Sequence, residues 1–219
     1  MDKSLIRKTL AELIGTLFLV TVIIGSGIMA SNLSSDELSI LLAHSVATGA
    51  GLTALIWIFI SVSGAQFNPA VTIVMYLQRE ISAKDSICYI VSQLIGGILG
   101  ALLANSMFGL DIVSISDTDR GGLNIYIGEL VATFGLLITI LGAKKLNTLI
   151  IAPAVGIYIT AAIWFTSSTA FANPAVTIGR VFSDTFTGID PAFIGYFMLF
   201  QICGAITAYY IMNFVQSET

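Results

Sequence analysis

Two side-chain amides, Asn68 and Asn173, have the type and setting to act on a passing molecule. Each heads the same six residues, Asn68-Pro69-Ala70-Val71-Thr72-Ile73 and Asn173-Pro174-Ala175-Val176-Thr177-Ile178. An amide N–H donates a hydrogen bond to a neutral oxygen without carrying net charge. Asn is also a preferred N-cap, and Pro at the first helical position gives up no bond, because that N–H has no intrahelical partner. Pro69-Ala70 and Pro174-Ala175 therefore read as capped first turns. The apolar segments they open are short: Ala70 to Leu77 runs into Gln78-Arg79-Glu80, and Ala175 to Phe182 into Ser183-Asp184. Each is predicted to be a half-helix that starts inside a membrane and cannot cross it.

Other reactive groups are few. Glu12 and Glu129 fall inside apolar stretches, where charge is costly and marks a function or a tightly bonded structural role. Their matching placement favours a structural carboxylate that accepts N–H bonds from the irregular backbone ahead of each half-helix. His44, the single histidine, is a candidate for lining an outer vestibule and otherwise a packing residue. Cys88 and Cys203 lie in apolar runs without metal-ligand spacing and read as small buried hydrophobes. Trp57 and Trp164 read as packing or lipid-facing aromatics. With no nucleophile–His–acid set and no ligand cluster, the chain is not expected to be an enzyme or to hold a cofactor or metal.

The elements that carry these groups are membrane spans. The 219 residues are 56% hydrophobic and 10% charged, with a mean hydropathy of +0.94, values that belong to an integral membrane protein with the lipid bilayer as solvent. Nine Lys and Arg form no patch, so no nucleic-acid partner is expected. Apolar runs predict spans near 8–30, 38–62, 84–107, 123–143, 147–167 and 191–214, a single membrane domain over 1–219. The first run is too long for a signal peptide and belongs to a repeat. Ala11-Glu12-Leu13-Ile14-Gly15-Thr16 matches Gly128-Glu129-Leu130-Val131-Ala132-Thr133, and Gln93-Leu94-Ile95-Gly96 matches Gln201-Ile202-Cys203-Gly204. Glu, Asn-Pro-Ala and Gln-x-x-Gly thus recur in order in repeats of about 8–107 and 123–214, joined by an external loop near 108–122. Three spans per repeat force the second to enter from the opposite face, and interrupted helices at corresponding places point to the transport path. Lys3, Arg7, Lys8, Arg79, Lys84, Lys144 and Lys145 fall on one side of this topology, against Arg120 and Arg180 on the other. That asymmetry predicts cytoplasmic termini.

Taken together, Ala11-Glu12-x-x-Gly15-Thr16, the two Asn-Pro-Ala half-helices, and Ser63-Gly64-Ala65-Gln66-Phe67 before the first resemble the aquaporin (major intrinsic protein) family over about residues 8 to 214. The resemblance implies an all-α fold of six tilted helices plus two half-helices, one pore per subunit and a homotetramer, in a bacterial inner membrane. It makes Asn68 and Asn173 the central constriction, where two helix N-termini repel cations and the amides turn each water so that no proton wire persists. Backbone carbonyls around 64–66 and 169–171 would serve as acceptors along the path.

Most members carry Arg directly after the second Asn-Pro-Ala, whereas this chain has Val176. The resemblance places the rest of the outer filter at Thr48, Ala161 and Ala170, with Phe171 in the pore if the register shifts by one. Arg180 is expected further out and not to take over the missing charge. Gln66 stands where many members have His, and Thr177 where glycerol facilitators have Asp. A Thr/Ala/Ala/Val ring would be wide and uncharged and would pass water with glycerol, urea or arsenite. Thr48 with Val176 resembles a bacterial branch associated with arsenic-resistance operons. An ion-coupled secondary transporter shares inverted repeats and broken helices but needs coupling acids, for which only Glu12 and Glu129 offer themselves. An ion channel opened by the missing Arg is a third reading.

Overall fold

The computed structural model describes residues 3–217, and these are helical with no β-strand. In chain order the helices are α1 (Lys3–Leu33), α2 (Glu37–Ser63), α3 (Pro69–Leu77), α4 (Ala83–Met107), α5 (Leu123–Leu146), α6 (Thr148–Phe165), α7 (Pro174–Arg180) and, after a short 3-10 turn, α8 (Ile194–Gln216). Among the described residues, six of these segments are long and apolar enough to cross a membrane, while α3 and α7, with nine and seven residues, are not. Helix α1 begins earlier than its apolar run, so that Arg7 and Lys8 extend it on the polar side. Sequence-encoded caps set several starts. Asp36 accepts from the Ser39 N–H at 2.9 Å ahead of α2, Ser82 from the Asp85 N–H at 3.1 Å ahead of α4, and Asn147 from the Leu149 N–H at 2.8 Å ahead of α6.

The two repeats pack alike. Helix α1 lies against α4 and α2, as α5 lies against α8 and α6, and α7 reaches across to α4 as α3 reaches to α8. Small residues permit the close approaches. A methyl on Gly96 would come within 2.5 Å of the Leu13 carbonyl, and Gly204 meets the Leu130 carbonyl in the same way. The repeats meet where α2 crosses α6, with Gly49 and Gly156 back to back; a methyl on either would come within 2.6 Å of the other's carbonyl.

Indole N–H groups tie this crossing at two further places. Trp164 donates to Ser45 Oγ at 2.9 Å, and Trp57 to the Leu149 carbonyl at 3.3 Å. The second has a local reason: Pro153 lies four residues after Leu149, has no N–H to offer, and leaves that carbonyl open. Both tryptophans, read from the sequence as packing or lipid-facing aromatics, are exposed on the helix surface and make one polar contact each.

Candidate functional site

Each half-helix is held by a carboxylate from the first helix of its own repeat. Glu12 accepts from the backbone N–H groups of Gln66 (3.0 Å) and Phe67 (2.6 Å), from Ser63 Oγ (2.5 Å) and from Gln93 Nε2 (2.8 Å). Glu129 accepts from the N–H groups of Phe171 and Ala172, both at 2.9 Å, and from Gln201 Nε2 at 2.6 Å. Both carboxylates are completely buried. The loops they hold could not stand alone. Ala65 and Phe67 in one, and Thr169, Ala170 and Ala172 in the other, have φ between 48° and 59°. A non-glycine residue there costs on the order of 1–3 kcal/mol. Bonds to a buried carboxylate offset that strain and turn the loop carbonyls away from it.

The half-helix tips then lock to each other. Asn68 Oδ1 accepts from the Ala70 N–H and Asn173 Oδ1 from the Ala175 N–H, each at 2.9 Å, as N-caps do. Asn68 Nδ2 donates to the Ala172 carbonyl at 2.7 Å, and Asn173 Nδ2 to the Phe67 carbonyl at 2.8 Å. An amide nitrogen carries two hydrogens, so one on each remains for a third partner.

Two cavities adjoin this junction. The outer, of about 60 Å³, has Asn68 and Asn173 in its wall together with Thr48, Ile163, Val176 and Arg180. The inner, of about 460 Å³, is walled by Gly64, Ala65, Met75 and Tyr89 and flanked by the Glu80–Lys144 ion pair. Gln66, Val71, Ile140 and Val155 belong to both walls, so the two spaces meet beside the half-helix tips. Most of the outer wall is aliphatic, which lets a solute slide past without tight binding. Thr48 Oγ1 and Gln66 Oε1 have no partner among the described residues, so the hydroxyl is free to accept or donate and the amide oxygen to accept from what passes.

The predicted filter positions fare unevenly. Thr48, Ala170, Val176 and Phe171 all line the outer cavity. Ala161 does not: it is exposed on the far side of α6, and Ile159 and Ile163 take the wall instead. Arg180 lies one helical turn beyond Val176, at the end of α7. It is 3% exposed, lines the cavity, donates from Nε to the Thr187 carbonyl, and lies over the Phe171 ring. Its spacing of four from Val176 was the available signal, since such residues share a helix face. His44 is buried in the same wall with Nδ1 3.0 Å from Ser26 Oγ and its ring edge-on to Phe186.

The external loop was missed as a structural part. Ser116 N–H donates to the Val181 carbonyl and Asp190 N–H to the Thr118 carbonyl, both at 2.9 Å, stitching 114–118 to the segment after α7. Arg120 follows, with Nε 2.6 Å from the Gly188 carbonyl, and reaches Phe171 from this side.

Comparison with known proteins agrees with this architecture. Residues 1–150 match the family described as Major intrinsic protein. The chain is 42% identical over 212 residues to the aquaglyceroporin AqpS of Rhizobium meliloti (strain 1021), covering 97% of this chain and 91% of that protein. It is 31% identical over 253 residues to the aquaporin AqpM of Methanothermobacter thermautotrophicus, covering 98% and 99%. The aquaglyceroporin structure from Plasmodium falciparum superposes with a TM-score of 0.79 over 95% of this chain and 96% of that one, a likeness of fold at 21% identity. The protein is an integral membrane channel that passes water and small solutes passively. The chain belongs to the major intrinsic protein family.

Proposed function

We propose that this channel passes small uncharged solutes larger than water, of the size of glycerol, urea and arsenous acid, in single file past Asn68 and Asn173. The observation that carries the reading is Val176 in the wall of the outer cavity, beside the second half-helix tip. An aliphatic side chain there leaves room that a guanidinium would fill. The ring at this level is Thr48, Ile163, Ala170 and Val176, with Phe171 beside it. The free amide hydrogens of Asn68 and Asn173 give a solute oxygen two donors at the centre, and the two helix N-termini disfavour a cation there. Similarity to the aquaglyceroporin AqpS supports the same solute class.

The whole chain acts as one channel domain and assembles as a homotetramer with one pore per subunit. It sits in a bacterial inner membrane with both termini cytoplasmic, an orientation that the distribution of Lys and Arg supports. Stopped-flow shrinkage of vesicles tests the reading with water, glycerol, urea and arsenite in parallel. Flux of all four without an ion gradient is expected. Water flux alone, or flux only when a gradient is imposed, overturns it.

A further inference from the structure

Two guanidinium groups meet on a single aromatic ring at the outer end of the cavity. Arg180 Cζ lies 3.3 Å and Arg120 Cζ 5.0 Å from the Phe171 ring centroid. Phe171 is fixed in turn by Phe197, edge-on at 4.9 Å, and by its own N–H on Glu129. Backbone carbonyls satisfy part of each guanidinium: Thr187 for Arg180, Gly188 and Phe186 for Arg120. Neither pairs with a carboxylate among the described residues. A carbonyl orients a cation but does not neutralise it. Burial pushes Arg120 down to about 10, so it stays charged at neutral pH, and a guanidinium at Arg180 does not give up its proton. In a narrow cavity with aliphatic walls, fixed charge is screened far less than in bulk water.

We infer that Arg180 is the cation-excluding residue of this channel's outer mouth, one helical turn outside Val176, held in place by Phe171 and seconded by Arg120. The inference rests on the channel reading above and adds a division of labour to it. Where one Arg beside the half-helix tip would both narrow the passage and charge it, here Val176 sets the width and Arg180 the charge. A pore open to neutral molecules then remains closed to cations.

Reconstituted vesicles decide the matter with Arg180→Gln, Arg180→Lys and the double variant V176R/R180Q. Water and glycerol flux are measured beside uptake of methylammonium, a cation small enough to fit where glycerol does. R180Q is expected to raise methylammonium permeability by roughly tenfold or more relative to glycerol permeability. R180K keeps the charge and is expected to exclude methylammonium as wild type does. V176R/R180Q is expected to restore exclusion and to lose glycerol flux. Unchanged exclusion in R180Q with intact glycerol flux overturns the role of Arg180 alone. Absence of glycerol flux in the wild type overturns the channel reading instead. Should R180Q fail to insert, R180K decides: methylammonium leak with wild-type water flux counts against the proposal, and retained exclusion supports it.

Discussion

The two halves of the molecule match where the chain must be held and differ where a solute must be chosen. Glu12 and Glu129, Gln93 and Gln201, and Ser63 and Ser168 take corresponding places around two loops of the same backbone form. Around the passage the match fails. Gln66 on the inner side corresponds to Phe171 on the outer, and Met75 to Arg180. The inner space is about 460 Å³ and the outer about 60 Å³. Duplicated residues solve a folding problem that both leaflets pose equally: keeping an irregular backbone satisfied inside a membrane. Unduplicated residues face two different aqueous sides, and selection can be confined to one of them.

The strongest way to break this comparison is to remove the holding groups. Glu12→Ala or Glu129→Ala leaves two backbone N–H groups and a Gln amide without their acceptor. At roughly 1–3 kcal/mol per orphaned group, each should cost on the order of 4 kcal/mol. Both variants should lose monodisperse protein in detergent to a similar extent, measured by size-exclusion recovery after heating. A large loss in one and none in the other would end the equivalence of the halves.

Next in size are changes to the unduplicated wall. Val176→Arg should lower glycerol flux by roughly tenfold relative to water in vesicle assays, and Thr48→Trp should act in the same direction. Val176→Arg with unchanged glycerol flux would remove Val176 from the narrow part of the path. At the centre, Asn173→Asp replaces a donor to the Phe67 carbonyl with an acceptor and brings in negative charge. Cation leak should rise severalfold, and Asn68→Asp should behave alike because its bond to the Ala172 carbonyl is equivalent. Unequal leak in the two would show that asymmetry reaches the tips.

The smallest effect concerns helix caps. Helix α2 starts on Asp36 and α6 on Asn147, so only the first can titrate. Hydrogen bonds from the Ser39 hydroxyl and N–H hold the Asp36 carboxyl below its usual range. A carboxyl whose folded value is depressed stabilises at neutral pH and loses that contribution as pH falls through the depressed value. Amide exchange at the start of α2 should therefore quicken at low pH more than at the start of α6. The difference is small because Asp36 is fully exposed.

Much of this arrangement is legible in the chain itself. Asn-Pro-Ala fixes its own cap, and the paired Glu and Gln-x-x-Gly markers announce which helices serve which loop. What the sequence hides depends on turn length and loop packing. Ala161 follows from counting residues across 166–172, whereas Ile159 and Ile163 are the α6 side chains that line the cavity. Arg180 was readable from its spacing to Val176, but its inward course depends on the Thr187 carbonyl and the Phe171 ring, which only the folded segment brings close. The 114–122 stretch has the composition of a free loop, and its bonds to 181–190 have no local signature.

The crossed amide bonds between Asn68 and Ala172 and between Asn173 and Phe67 carry one more implication. Each repeat holds the other by its tip, at the depth where an alternating-access transporter would have to part them. Rocking one repeat against the other would break both bonds at once and strip two strained loops of support. Traffic through such a centre runs downhill at a rate set by concentration. Any means of throttling it has to act at the mouths, where the inner side offers Glu80 and Lys144 and the outer side a pair of arginines.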